Sequence, residues 1–224
     1  MRAAFFDVDG TLTKVRIWEG IMAYYRVHGG KRLTRILFLA YHIPLILLYK
    51  IGLIPQIGMR RPWGGHLAWF FRGKSAEEVE EISEWIVDDF LEGQWQEDSL
   101  KLVEKHLREG DEVVLVSASP GPLLRRIAHK LGVEHVVGTE PAVRNGFYTG
   151  GVAGEICIGE NKAHMARGYF LERDMAPDLG ASFAYADSPG DMDLLEMVGN
   201  PTATHPDDDL RPLAEEKGWP IFPG

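Results

Sequence analysis

The sequence predicts an α/β protein with a mostly parallel sheet and a helical segment inserted after its first strand. Three observations carry this expectation. Short apolar runs at residues 3–8, 112–116, 133–137, 181–186 and 202–205 alternate with longer stretches of helical periodicity. Such alternation implies parallel strands joined by helical crossovers. The first run ends in two carboxylates, Asp7 and Asp9, with Gly10 behind them. Residues 14–90 then differ in character from everything that follows, which makes them an insertion between the first and second strands.

Taken in order, the elements are these. Residues 3–8 are apolar and too short for a buried helix, so they read as a buried strand. Residues 15–27 place Trp18, Ile21, Met22 and Tyr25 at helical spacing, and Gly29-Gly30 closes that helix. Residues 36–49 are almost wholly apolar but contain Pro44, and fall short of the ~20 residues that span a bilayer. Extending the run would bury His42, Lys50 and Gly52 as well, so a spanning helix is not expected. Ser75-Ala76-Glu77-Glu78 is a capping box opening a helix to about residue 90. A helix at 99–109 ends at Gly110, and 122–131 ends at Gly132. Asn145-Gly146 marks a hairpin within 140–154. Helices at 161–172, 191–198 and 209–217 and a last short strand at 219–222 complete the chain.

Composition limits the function. The chain has 224 residues and a net charge of −9. Residues 13–76 hold eleven Lys or Arg against one acid, Glu19, a net +10, which leaves −18 from Glu77 onward. The acidic body would repel a long polyanion, so no nucleic-acid partner is expected. One cysteine, Cys157, excludes an intrachain disulfide and fits a reducing, cytoplasmic setting. No HExxH or Cys/His cluster suggests zinc, and no secretory signal precedes the first strand.

Asp7 and Asp9 stand where ligands bind in open α/β sheets, beyond the carboxyl end of a strand. Two close carboxylates repel, and such a site usually holds a divalent cation with oxygen ligands, typically Mg²⁺. Alone, Asp-x-Asp-Gly is as readily a solvated turn. Ser117 alone is a strand-end turn residue, Lys162 a solvated helix residue, and Asp191 a helix first-turn acid.

Together they resemble the haloacid dehalogenase (HAD) superfamily. Asp7-Val8-Asp9-Gly10-Thr11 is similar to its first motif, and Val113-Val114-Leu115-Val116-Ser117 to its second. Gly159-Glu160-Asn161-Lys162 resembles the third, and Tyr185-Ala186-Asp187-Ser188-Pro189-Gly190-Asp191 the fourth. Stretches such as Val137-Gly138-Thr139-Glu140 and Gly199-Asn200-Pro201 resemble subfamily IB, the phosphoserine-phosphatase-like hydrolases. The resemblance implies a Rossmann-like core over 1–13 and 91–224 with a helical cap over 14–90. It implies a phosphatase in which Asp7 is the nucleophile and Asp9 the general acid/base, with the pKa of Asp9 raised by Asp7 and its surroundings. Mg²⁺ would bind Asp7, the Asp9 carbonyl and Asp187, with Asp191 near. Ser117 and Lys162, with backbone N–H groups near Val8, Asp9 and Ala118, would grip the phosphoryl oxygens.

The cap departs from the pattern. Phosphoserine phosphatases place a Glu soon after the first motif to read the substrate ammonium; this chain has Arg16, Ile17 and Trp18 there. Arg16, Trp18, Arg60, Arg61 and Trp63 are therefore the candidate substrate-selecting residues. A basic, apolar cap suits a lipid-linked or otherwise anionic phosphomonoester. Phosphoserine or another small metabolite is the alternative, and a non-catalytic, membrane-associated HAD-fold protein a further one. Hydrolysis and phosphoryl transfer to another acceptor are both open. The apolar stretch is either a buried helical pair within the cap or an interfacial segment touching the inner face of an anionic membrane.

Overall fold

The computed structural model describes residues 1–223. A six-stranded sheet runs in the order β3-β2-β1-β6-β7-β8, and each neighbouring pair is parallel. The strands are β1 (Ala3–Phe6), β2 (Glu112–Pro120), β3 (His135–Thr139), β6 (Phe183–Ala186), β7 (Asn200–Thr204) and β8 (Ile221–Phe222). A separate antiparallel hairpin pairs β4 (Pro141–Arg144) with β5 (Phe147–Val152) across Asn145-Gly146, as the turn signal requires.

The strands are continuous apolar runs because both sheet faces are covered. All four residues of β1 are buried. Ala4 and Phe6 enter one core with Val113 and Leu115, and Ala3 and Phe5 enter the other with Val114 and Val116, the alternation of a pleated strand. The first core is closed by α1 (Ile17–Val27), α4 (Ala76–Glu84), α5 (Glu97–Glu109) and α6 (Gly121–Leu131), the second by α7 (Glu160–Leu171), α8 (Met192–Glu196) and α9 (Leu210–Lys217). Phe6 stacks on Tyr185 at 4.5 Å. His106 of α5 lies 2.8 Å from the Tyr185 hydroxyl and 2.7 Å from Asp111, tying α5 to the sheet.

Several boundaries differ from the sequence expectation. β2 runs on past Val116 to Pro120, because Pro120 still pairs with Thr139 across a register shift. That bulge sits under Ser117-Ala118-Ser119 and re-aims them. The helix expected at 191–198 begins as a tight turn, Pro189–Asp191, before the short α8. The capping box is present, Glu78 N–H donating to Ser75 Oγ at 3.3 Å and Ser75 N–H to Glu78 at 2.9 Å. Its helix widens after Glu84 into a π turn, Trp85–Phe90. Gly20 of α1 packs there, where a Cβ would meet Ile86 at 2.8 Å.

The largest difference lies in the apolar stretch. α2 (Arg32–Lys50) is one continuous helix through Pro44, followed by α3 (Gln56–His66) and a tight turn, Leu67–Phe71. Pro44 and Ala40 are both exposed, so the carbonyl that loses its donor lies on the solvent side, where Pro is tolerated. The expectation of a buried helical pair fails for this helix: Phe38 and His42 are buried, whereas Leu33, Ile36, Leu37 and Leu47 are exposed. The hairpin, expected as part of the core, leans on this helical segment. Gly73 N–H donates to the Tyr148 carbonyl at 2.7 Å, and Tyr148 N–H to the Lys74 carbonyl at 2.9 Å.

His42 is buried between Phe38 and Trp63, with Nε2 3.2 Å from His66 Nδ1. Burial, reinforced by His66, pushes its pKa down to about 4. Between that value and the unfolded ~6.5 the unfolded chain binds the extra proton, so stability is full above ~6.5 and falls with decreasing pH. His42 should cost about 2 kcal/mol between pH 7 and pH 4.5. Melting temperatures at the two pH values should diverge more for the wild type than for His42→Gln; equal divergence would remove His42 as the cause.

Candidate active site

The carboxyl end of β1 delivers Asp7 to the rim of the sheet, where its N–H donates to the Tyr185 carbonyl at 3.0 Å. The chain then doubles back: Leu12 and Thr13 N–H groups donate to the Val8 carbonyl at 2.9 and 3.1 Å. Gly10 makes this turn possible. Its φ is +102°, and a Cβ there would lie 2.1 Å from Asp187 Oδ2. Val8 points its side chain into the core. Its possible contribution to a ligand is therefore its backbone.

Four carboxylates converge on one cavity of about 420 Å³, to which Ser117, Ala118 and Lys162 also contribute. Asp7, Asp187 and Asp191 are buried, and their oxygens lie within 4.8 Å of one another. Burial pushes the Asp187 carboxyl up to about 8, with Asp7 adding to the effect and Arg16 opposing it. Burial likewise pushes Asp7 up to about 6 against the pull of Lys162. Lys162, in the first turn of α7, donates to Asp7 Oδ1 at 2.6 Å and to Asp191 Oδ1. Burial alone would lower its pKa; Asp191 and Asp7 outweigh that and hold it well above the ordinary lysine value. Asp191 also accepts from Ser188 Oγ at 3.0 Å, and Asp7 from Thr11 Oγ1 at 3.3 Å.

Three donors surround the Asp9 carboxylate: Ser119 Oγ at 2.8 Å, Ser117 Oγ at 3.3 Å, and the Ile17 N–H that opens α1 at 2.5 Å. Ser117 thus sits at the site with its hydroxyl engaged by Asp9. Ser119 was not singled out from sequence. Its signal was present, since a strand end carrying Ser-Ala-Ser presents its first and third side chains to one side.

The helical segment supplies the opposite wall. Trp18 and Trp63 meet edge to face at 5.0 Å, and Arg60 donates to Ser188 Oγ at 3.0 Å, reaching across to the loop after β6. Arg61 is not brought to the carboxylates; it is exposed and lines a neighbouring cavity with Ile57, Glu160 and Asn161. Arg16, a candidate substrate-selecting residue, lines the cavity and lies against the carboxylates. Its guanidinium donates to the Asp9 carbonyl and, at 3.1 Å, to Asp187 Oδ2. Cys157 is buried and its thiol pushed up to about 12 by burial, an unreactive group.

The residues fit a divalent cation. Asp187 Oδ1 is buried with no hydrogen-bond partner among the described residues, and an orphaned buried carboxylate oxygen costs free energy unless a cation or donor reaches it. The donors are all oxygens, the set a hard ion prefers. Arg16 occupies the Asp9 carbonyl and Asp187 Oδ2, so it competes with such an ion. Mg²⁺ titrated calorimetrically into the metal-free protein should bind Arg16→Ala more tightly by on the order of 1 kcal/mol, roughly five-fold. Equal or weaker binding would show that Arg16 does not compete.

Comparison with known proteins agrees with this geometry. The family profile for haloacid dehalogenase-like hydrolases matches residues 4–196. The Mycobacterium tuberculosis protein named phosphoserine phosphatase SerB1 is 34% identical over 225 residues, covering 98% of this chain and 70% of its own. A Neisseria meningitidis protein named histidinol-phosphatase is 30% identical over 159 residues, covering 70% of this chain and 71% of its own. Among solved structures, a Bordetella pertussis protein of unknown function superposes with a TM-score of 0.82 at 26% identity, covering 98% of this chain and 97% of that one. A substrate-bound phosphoserine phosphatase shares the fold at a TM-score of 0.59 and 16% identity, covering 96% and 97%. The chain belongs to the haloacid dehalogenase superfamily of hydrolases, in its phosphoserine-phosphatase-like branch.

Proposed function

We propose that the protein is a Mg²⁺-dependent phosphomonoester hydrolase that works through an aspartyl-phosphate on Asp7. The observation that supports this most is the setting of Asp7: buried at a strand end, one oxygen held by Lys162, with Asp187 and Asp191 beside it and Asp9 facing the same cavity. Asp7, the Asp9 carbonyl and Asp187, with Asp191 near, would hold the ion, whose charge lets an anionic nucleophile meet an anionic phosphate.

The residues divide the remaining work. Asp7 attacks phosphorus; the bond to the leaving oxygen breaks, and that oxygen takes a proton from Asp9. Water then attacks the phosphoryl group on Asp7, giving its proton back to Asp9 and releasing phosphate. Lys162 orients Asp7 and offsets the charge gathering on the phosphoryl oxygens. Ser117 and backbone N–H groups near Val8, Asp9 and Ala118 complete the grip. A phosphoryl oxygen accepting from Ser117 would release Asp9 Oδ2 for proton transfer.

Residues 14–90 act in this reading as a cap over a core of 1–13 and 91–224, and they set the substrate. The cap wall of the cavity carries Trp18, Ile46, Tyr49, Met59, Trp63 and Leu67 with Arg16, Lys50 and Arg60, and no acid among the described residues. Such a wall offers no carboxylate to an ammonium group and suits a phosphomonoester with an apolar body or added negative charge. Within this reading the protein works at the inner, cytoplasmic face of a membrane, peripheral to it. The second reading is a small amino-alcohol phosphate, favoured by the names of the two relatives.

Phosphate release from an aryl phosphate should fall to background in Asp7→Asn and by about 10²–10⁴-fold in Asp9→Asn. A wild-type rate in Asp7→Asn would remove the covalent route. Long-chain alkyl phosphates should exceed phosphoserine in kcat/KM, and the reverse order would select the second reading.

A further inference from the structure

Helix α2 is built inside out. A surface helix normally turns its apolar stripe to the core and its polar residues to water. In α2, Leu33, Ile36, Leu37, Ala40, Pro44 and Leu47 recur at three- and four-residue spacing, which places them on one face, and all are exposed. Leu33 is 68%, Ile36 54%, Leu37 53% and Leu47 57% exposed. The stripe continues past the helix end in Ile51 and Leu53, at 67% and 68%. Two of its polar residues are on the other side. His42 is fully buried, and Arg35 is half-buried, donating to the Tyr25 carbonyl at 3.1 Å. An apolar stripe of this length left in water marks an interaction surface.

Charge indicates the occupant. The stripe is bracketed by exposed Arg32 and Lys50, with exposed Arg61 nearby in sequence on α3. It belongs to the segment that carries a net +10, while the rest of the chain is strongly acidic. A two-fold self-association through this face would set that basic surface against its own copy. An apolar stripe with a basic rim, in a stretch that carries no acid from Gly20 to Ala76, instead matches an anionic bilayer surface.

Packing decides how the helix would meet it. The helix has 19 residues, and an 18-residue window of it reaches a mean hydropathy of 1.4, long and apolar enough by composition to cross a bilayer. Its inner side, however, is fastened to the protein: Phe38 lies 4.9 Å from Trp63 and 5.4 Å from Phe70, and His42 contacts His66. One long face is free, the arrangement of a helix lying in the interface plane. At its C-terminal end Ile46 and Tyr49 line the carboxylate cavity, next to exposed Leu47 and Ile51. The apolar stripe and the cavity wall thus share the last turns of one helix.

We propose that the outward face of α2, with the turn at 51–53, docks the protein on an anionic membrane surface. There the cavity receives phosphomonoesters whose apolar tails lie in the bilayer. The docking follows from the helix; its use in substrate capture rests on the phosphomonoesterase reading.

The test is flotation of the full chain with vesicles of equal phosphatidylglycerol and phosphatidylcholine, beside phosphatidylcholine alone and a lipid-free control. At low salt the anionic vesicles should capture at least ten-fold more protein than the neutral ones. Salt near 0.5 M should reduce that capture several-fold as the basic rim is screened. Leu33→Gln/Leu37→Gln, which alters two exposed residues, should lose most of the capture while hydrolysing soluble p-nitrophenyl phosphate at the wild-type rate. The proposal is overturned if anionic vesicles capture no more than the lipid-free control, or if the double variant is captured as well as the wild type. It is overturned too if light scattering without lipid finds a dimer that the double variant converts to monomer, since a second copy then covers the face. Hydrolysis without capture sinks the docking alone; capture without hydrolysis of p-nitrophenyl phosphate sinks the phosphomonoesterase reading and leaves the docking.

Discussion

Four carboxylates aimed at one small volume repel one another, and the rest of the structure answers that repulsion. Burial of Asp7 and Asp187 disfavours their charged forms, and the carboxylates beside them add to the cost. Lys162 meets two of them from the start of α7, and Arg16 meets a third from the start of α1. The turn at Gly10 allows the close approach, because any side chain there would collide with Asp187. Elements far apart in sequence are thus bound together by one electrostatic demand. A cation with oxygen ligands would satisfy the same demand and reach the buried Asp187 oxygen that is otherwise without a partner.

The helical segment after β1 answers a different demand. It covers a negatively charged site, and it does so with Arg16, Lys50, Arg60 and aromatic rings rather than acids. Complementarity to the site accounts for Arg16, Lys50 and Arg60 among the eleven basic residues that give this segment its +10. Its packing is aromatic at the inner side, through Trp63, Phe38 and Phe70, and aliphatic at the outer side. The hairpin after β3 braces it by backbone hydrogen bonds to Gly73 and Lys74. The cap wall and the outward stripe of α2 are two sides of the same few turns of helix.

Much of this was legible in the sequence. Apolar runs of strand length, helix-ending glycines and the Asn145-Gly146 turn are local signals, and local chemistry decides them. The spacing Asp7-Val8-Asp9-Gly10, with the resemblance of the stretches around Ser117, Lys162, Asp187 and Asp191 to the family motifs, pointed to the carboxylate cavity. Boundaries were less legible. Whether β2 stops at Val116 or runs to Pro120 depends on a pairing with Thr139 that lies elsewhere in the chain.

The sequence by itself determined the sheet and the charge asymmetry, because periodicity and residue type suffice for these, and its resemblance to the haloacid dehalogenase motifs picked out the converging carboxylates and lysine. Tertiary structure decided three things that depend on which groups become neighbours. It set Arg16, within the cavity wall, against Asp187 and the Asp9 carbonyl, and it turned Arg61 away. It placed Ser119 and the Ile17 N–H on Asp9. And it chose which face of α2 meets water: composition makes that helix apolar on most sides, and only the packing of Phe38 and His42 against α3 leaves the leucines outside.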